Sequence, residues 1–250
     1  MKRNIVFALI LGFISLHISG QTQKKFEVYG IHIDTLADMV HKHPEYFIHL
    51  KNVWLKNPVK LSDDEMILLY YGSVFMPGYQ PKKEDKAVEK IAGYMGEMNF
   101  EEAVKEGEQL QKIYPFSARL YMLLGYAYKR IGEKVKSKYY YKRYAQLLRV
   151  PLYSGQGKSF SKAFVVRNIS DEYLILNHLD LELVQQEVRY FKQIPFDVML
   201  IKTLSKDNKR MKILPKEKMY FNIYLPYFIG QGKNYKMLQN EAKQKYKLPD

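Results

Sequence analysis

Cysteine is absent from all 250 residues. That rules out disulfides, a thiolate contribution to any zinc set, and lipid attachment at an exported N-terminus. Acidic residues are few beside basic ones, 26 against 40, leaving a formal net charge of +14. Beyond the first twenty residues no stretch approaches the roughly 18 apolar residues a membrane span needs. The short catalytic signatures GxSxG and HExxH are missing, and so is any Ser/His/Asp constellation. This weakens an enzymatic reading without closing it, because paired carboxylates of the glycosidase kind carry no short signature. The expectation is no cofactor and no bound metal.

What is present begins with an address. Lys2 and Arg3 precede an apolar run from Asn4 to Leu16, and small residues lead to Gly20 and Gln21. This is the pattern of a secretory signal peptide over residues 1–20, cleaved between Gly20 and Gln21; a retained anchor is the alternative. Position 21 is Gln, so the expectation is an exported protein of the bacterial periplasm or exterior that is not a lipoprotein. Without Lys2 and Arg3 the charge is +12. A basic exported chain suits acidic partners such as anionic headgroups, acidic glycans or acidic proteins, and not nucleic acid. The bland alternative is a solvated basic surface. Apolar residues at 47% and charged residues at 26% are a globular balance.

Periodicity divides the rest into a helical region over 21–151, a Gly-rich connector over 152–160, a β-rich region over 161–230 and a polar basic tail over 231–250. In the first, Ile33, Leu36, Val40 and Phe47 share a helical face interrupted at Pro44. Ser62 stands three residues before Glu65, a capping-box spacing. Pro77, Gly78 and Pro81 then end that element. In the third, KAFVVRNI, EYLILNHL, LELVQQEVRYF, FDVMLIK and KMYFNIYLPYF read as strands. NISDE and SKDNK read as turns. A helix over 179–191 is the alternative for one of these strands. The fold class that follows is α+β, with helical hairpins followed by a small, mostly antiparallel sheet of four or five strands.

Residues 84–151 also repeat at an offset of 34 residues. Tyr121, Leu124, Gly125 and Tyr128, with Gly132 and Tyr141, have the spacing of a tetratricopeptide repeat. Tyr94, Ala103 and Pro115 contribute to an earlier, less regular copy. The segment resembles that repeat, with Gly125 and Ala103 letting helices approach closely. The resemblance places a peptide-binding face at Arg119, Met122, Tyr126, Lys129 and Arg130. That set is basic and aromatic and suited to a protein or peptide partner of acidic character. A solvent-facing stripe is the alternative.

Other candidates are weaker. SGQGKS at 154–159 ends like a phosphate-binding loop, but the motif's first glycine is replaced by Leu152. It also runs from a helix into a strand, the reverse of the order that puts a helix N-terminus on a phosphate. Ser154, Gly155, Gly157, Lys158 and Ser159 are therefore expected to be a structural connector in which the glycines adopt positive φ. His41, His43 and His49 lack metal-ligand spacing. Asp63, Asp64 and Glu65 complement a helix N-terminus.

Three segments taken in order resemble one family. They are YYGSVFMPGYQP, SGQGKSFSKAFVVRNISDEYLIL and KMYFNIYLPYF, and the family is an exported bacterial one described as domain of unknown function 4919. The resemblance implies export and supplies no catalytic residue. Two readings follow. The first is a non-enzymatic interaction or assembly module. The second is a hydrolase of glycan or peptide, which two facing buried carboxylates between helices and sheet would favour. Oligomeric state is not legible.

Overall fold

The computed structural model describes residues 27–28, 31–56, 61–203 and 217–231. The signal-like segment with Gly20 and Gln21, the SKDNK turn and the basic tail beyond Gln231 lie outside the described residues. A short antiparallel pair, β1 (Glu27–Val28) and β2 (Ile31–His32), leads into α1 (Ile33–Lys42) and α2 (Pro44–Lys56). Ile33, Leu36, Val40 and Phe47 are all buried. Pro44 opens α2, where its missing N–H removes no helical bond.

Helix α3 (Asp63–Gly72) starts on a complete capping box. The Ser62 backbone N–H donates to Glu65 Oε2 at 2.8 Å, and Glu65 N–H donates to Ser62 Oγ at 3.3 Å. Four helices follow: α4 (Pro81–Gly96), α5 (Phe100–Ile113), α6 (Ala118–Arg130) and α7 (Lys134–Tyr153). Asn99 caps α5 through its side chain, and Gly132, at φ +88°, makes the turn between α6 and α7. Backbones approach closely at two glycines: a Cβ at Gly107 would lie 2.7 Å from Leu124, and one at Gly125 3.0 Å from the Tyr141 ring. Among the described residues no helix is long and apolar enough to cross a membrane.

The second half is a four-stranded mixed sheet in the order β3 (Phe164–Val165), β6 (Glu217–Asn222), β5 (Ile194–Thr203), β4 (Leu181–Phe191). Only the β3–β6 pair is parallel. The β4–β5 hairpin turns at Lys192 and Gln193, both at positive φ, a two-residue turn whose twist matches the strands. Helix α8 (Ser170–His178) packs against α6 and α7, and α9 (Tyr224–Phe228) follows β6. The class is α+β.

Three local expectations change. EYLILNHL is α8 and not a strand: it is buried on most sides, so its apolar residues run on without the alternation that separates a helix from a buried strand. The KAFVVRNI strand shrinks to Phe164–Val165, because the chain then turns through a buried polar stretch into α8. The late strand stops at Asn222, and Ile223 no longer alternates with its neighbours: Tyr224 and Leu225 are both buried, in α9. LELVQQEVRYF is β4, not a helix.

Candidate functional site

The predicted stripe on α6 divides into two parts. Arg119 Nη2 pairs with Glu89 on α4, and Met122 is half-buried against the core. Arg130 lies over the Phe100 ring at 4.5 Å and donates from Nη1 to Tyr126 Oη at 2.9 Å, while Phe100 and Tyr126 meet edge to face at 6.2 Å. Both guanidinium groups are therefore engaged within the chain. Lys129 differs, opening onto a groove of about 750 Å³ between the end of α6 and the outer face of α7. The groove is lined by Lys129, Lys134, Ser137, Lys138, Tyr141 and Lys142, with the exposed Gly132 and Ala145. Lys134, Lys138 and Lys142 recur every four residues and so share one face of α7. The Ser137 hydroxyl is already used, donating to the Gly125 carbonyl at 2.8 Å.

The SGQGKS connector is tied down at both ends. Ser154 Oγ donates to the Pro151 carbonyl at 2.7 Å and accepts from Val165 N–H at 2.8 Å. Gln156 and Gly157 N–H groups donate to the Lys162 carbonyl at 2.8 and 2.7 Å, and the Gly157 carbonyl accepts from Tyr220 N–H at 2.9 Å. Gly155, expected at positive φ, does not adopt it; glycine is required there because a Cβ would meet the Ala163 carbonyl oxygen at 2.2 Å. Gly157 sits at φ +68°, where an L-residue is strained. Lys158 points to solvent, and the Ser159 and Ser161 hydroxyls are 3.2 Å apart. Helix α7 runs on to Tyr153, past Arg149, and only a single 3-10 turn at Phe160–Lys162 separates the loop from β3, so no α-helix starts from this loop.

Of the histidines, His41 stacks edge-on against Phe75 at 6.4 Å and His43 Nδ1 lies 3.7 Å from Glu45. Among the described residues no cluster of three His, Cys, Asp or Glu could hold a metal ion. Asp63, Asp64 and Glu65 occupy the first turn of α3, and Asp63 accepts from Arg149 at 2.9 Å beside a smaller groove of about 220 Å³.

Sequence reading missed a buried polar cluster where helices meet sheet. Arg167, just after β3, donates from Nη1 and Nη2 to the two Glu84 oxygens at 3.1 and 2.9 Å and from Nη1 to the Phe116 carbonyl at 3.0 Å. Tyr70 Oη donates to Asp171 Oδ2 at 2.5 Å, and the Tyr79 hydroxyl donates to the Arg167 carbonyl. Burial pushes the Asp171 carboxyl up to about 7, while Arg167 and the Tyr70 hydrogen bond pull it down. The next residue, Glu172 on α8, faces Asp197 on β5, and they are 0% and 3% exposed. Burial, and then the Asp197 charge, raises Glu172 well above the usual carboxylate range; burial raises Asp197, opposed by Gln186, which donates to it at 2.7 Å. One proton between these two carboxyls satisfies oxygens that two carboxylates would leave unpaired. The signal for this cluster was the run Arg167-Asn168-Ile169-Ser170-Asp171-Glu172, whose polar residues resemble a turn.

An α+β architecture whose accessible concavity is cationic, and whose acids at the helix–sheet boundary are sealed, describes the molecule as a class. The chain belongs to the family described as domain of unknown function (DUF4919), whose model matches residues 38–227. The match runs from within α1 to within α9 and so takes in both the helices and the sheet. No curated protein matches the chain, and no solved structure does.

Proposed function

We propose that this is an exported interaction or assembly module that acts by holding a protein or peptide partner and not by catalysis. One observation carries the reading. Of the buried groups that could do acid–base chemistry, Glu84, Asp171 and Asp197 are bonded to the chain itself, and Glu172 beside them is sealed from solvent. The lysines of the α6/α7 surface, in contrast, face solvent. The signal-like N-terminus and the tetratricopeptide-like spacing of α6 support the same reading. The test is chemical crosslinking of residues 21–250 in envelope extract. A stoichiometric partner is expected, with capture reduced by charge reversal at Lys129; no partner at all would remove the reading.

A hydrolase remains the second reading, and the facing, buried Glu172 and Asp197 carboxyls, both raised by burial, favour it. Against it, a substrate bond would reach 0%-exposed Glu172 only if α8 left the sheet. Turnover of a glycan or peptide panel that disappears in a folded Glu172→Gln variant would establish the hydrolase.

A further inference from the structure

The groove between α6 and α7 joins two properties that are separately ordinary. Its rim carries four ammonium groups, Lys129, Lys134, Lys138 and Lys142, and none of them makes an ion pair with a described residue. Between them the lining is mostly apolar: the half-buried Tyr141 ring, the exposed Ala145 and the lysine stems. The one nearby acid in sequence is Glu133, at the N-cap of α7, where it makes no side-chain cap bond and balances at most one of the four. The α7 N-terminus contributes a partial positive charge to the same end of the groove.

The geometry points to this groove as the docking site for an extended acidic peptide segment that alternates carboxylates with apolar side chains. Charge complementarity selects the acid, and the apolar lining selects the apolar residues between the acids. An anionic polysaccharide fits less well. Its hydroxyls need paired donors and acceptors, and of the two lining hydroxyls that of Ser137 is spent on Gly125, which leaves Tyr141 alone among the lysines. The site lies beside the Arg119–Tyr126–Arg130 stripe and not on it, since those side chains are already engaged. The inference rests on the module reading above and gives that module a partner chemistry.

The experiment is fluorescence anisotropy on the full mature chain, with a short fluorescein-labelled peptide alternating Glu and Leu and an all-Glu peptide of the same length. Saturable binding of the Glu/Leu peptide is expected, weakening as salt rises. Reversing Lys134 and Lys138 to Glu should weaken it about tenfold. Reversing the exposed Lys82 and Lys83 on α4 should leave it nearly unchanged. Ala145→Gln, which crowds the apolar lining without changing charge, should weaken the Glu/Leu peptide more than the all-Glu one. These positions are exposed, so the variants should keep the parent's thermal melt. Equal loss in the Lys82/Lys83 control, or equal binding of both peptides, overturns the inference in favour of diffuse charge. Anionic vesicles or polygalacturonate binding more tightly than the peptide, with loss in the same variants, overturns it in favour of those ligands. If the groove variants still crosslink the envelope partner, the groove falls and the module stands; if the parent chain captures nothing, the module falls.

Discussion

Among the described residues two arginines are buried, and they are neutralised in opposite ways. Arg167, at the boundary between helices and sheet, has a carboxylate: a two-pronged pair with Glu84. Arg143, in the middle of α7 and 0% exposed, has none. Its guanidinium lies 4.8 Å from the Trp54 ring and 4.7 Å from the Tyr139 ring, and it donates to the Trp54 and Leu55 carbonyls and to Tyr121 Oη. Those carbonyls belong to the last turn of α2, the negative end of a helix dipole. One region thus stabilises a cation with a full opposite charge, the other with partial charges and π faces. The lesson concerns what a substitution leaves behind. Removing Glu84 strands a full charge in the interior, whereas removing Arg143 leaves only carbonyls and rings.

That contrast can be tested in order of size. Glu84→Ala should cost about 3–5 kcal/mol, the usual penalty for an orphaned buried charge, read from urea unfolding. Adding Arg167→Met should restore much of the loss. Arg143→Met should cost less, about 2–3 kcal/mol, because it removes charge-assisted hydrogen bonds and creates no orphaned ion. Trp54 is the chain's only tryptophan and touches Arg143, so its fluorescence should report this variant directly. Equal costs for the two substitutions would erase the distinction.

The smallest effect separates the regions by pH. Asp171, Glu172 and Asp197 all have carboxyls raised above their unfolded values, Asp171 from 3.8 to about 7. The folded state therefore holds more protons, and the stability these groups contribute is full below their unfolded values. It is lost as pH rises through the folded ones, roughly from pH 4 to pH 7 for Asp171. Glu172→Gln should be more stable than the parent at mildly alkaline pH and make the melts less dependent on pH above the ordinary Glu value of 4.5. A profile identical to the parent's would show that the Glu172–Asp197 pair does not share a proton.

The legible features were local. The buried face of α1 and α2, the Ser62–Glu65 box and the Gly132 turn each depend on residues a few positions apart. What stayed hidden joins distant residues or violates a pattern. Glu84 and Arg167 are separated by 83 positions, and nothing near either names the other. Arg143 stands in KYYYKRYAQ, a stretch whose basic residues read as a solvated face, yet it occupies an interior position of α7. Helix α8 was hidden for another reason, since burial on most sides removes the polar stripe that reveals a helical period. For the candidate site, Lys129 was legible from the α6 spacing, but its groove partners lie on α7, whose lysine ladder carried no signal of concavity.

The Tyr70–Asp171 bond spans 101 positions, while the packing of α4 on α5 and of α6 on α7 is between neighbours. Short-range contacts form first, so the helical half can assemble while the sheet is still unstructured. During that interval its future interface exposes Glu84, Tyr70 and Tyr79, groups that water solvates well, among its apolar side chains. The polar boundary that costs desolvation in the finished protein is, for the half-made chain, a wettable patch that discourages self-association before the sheet arrives.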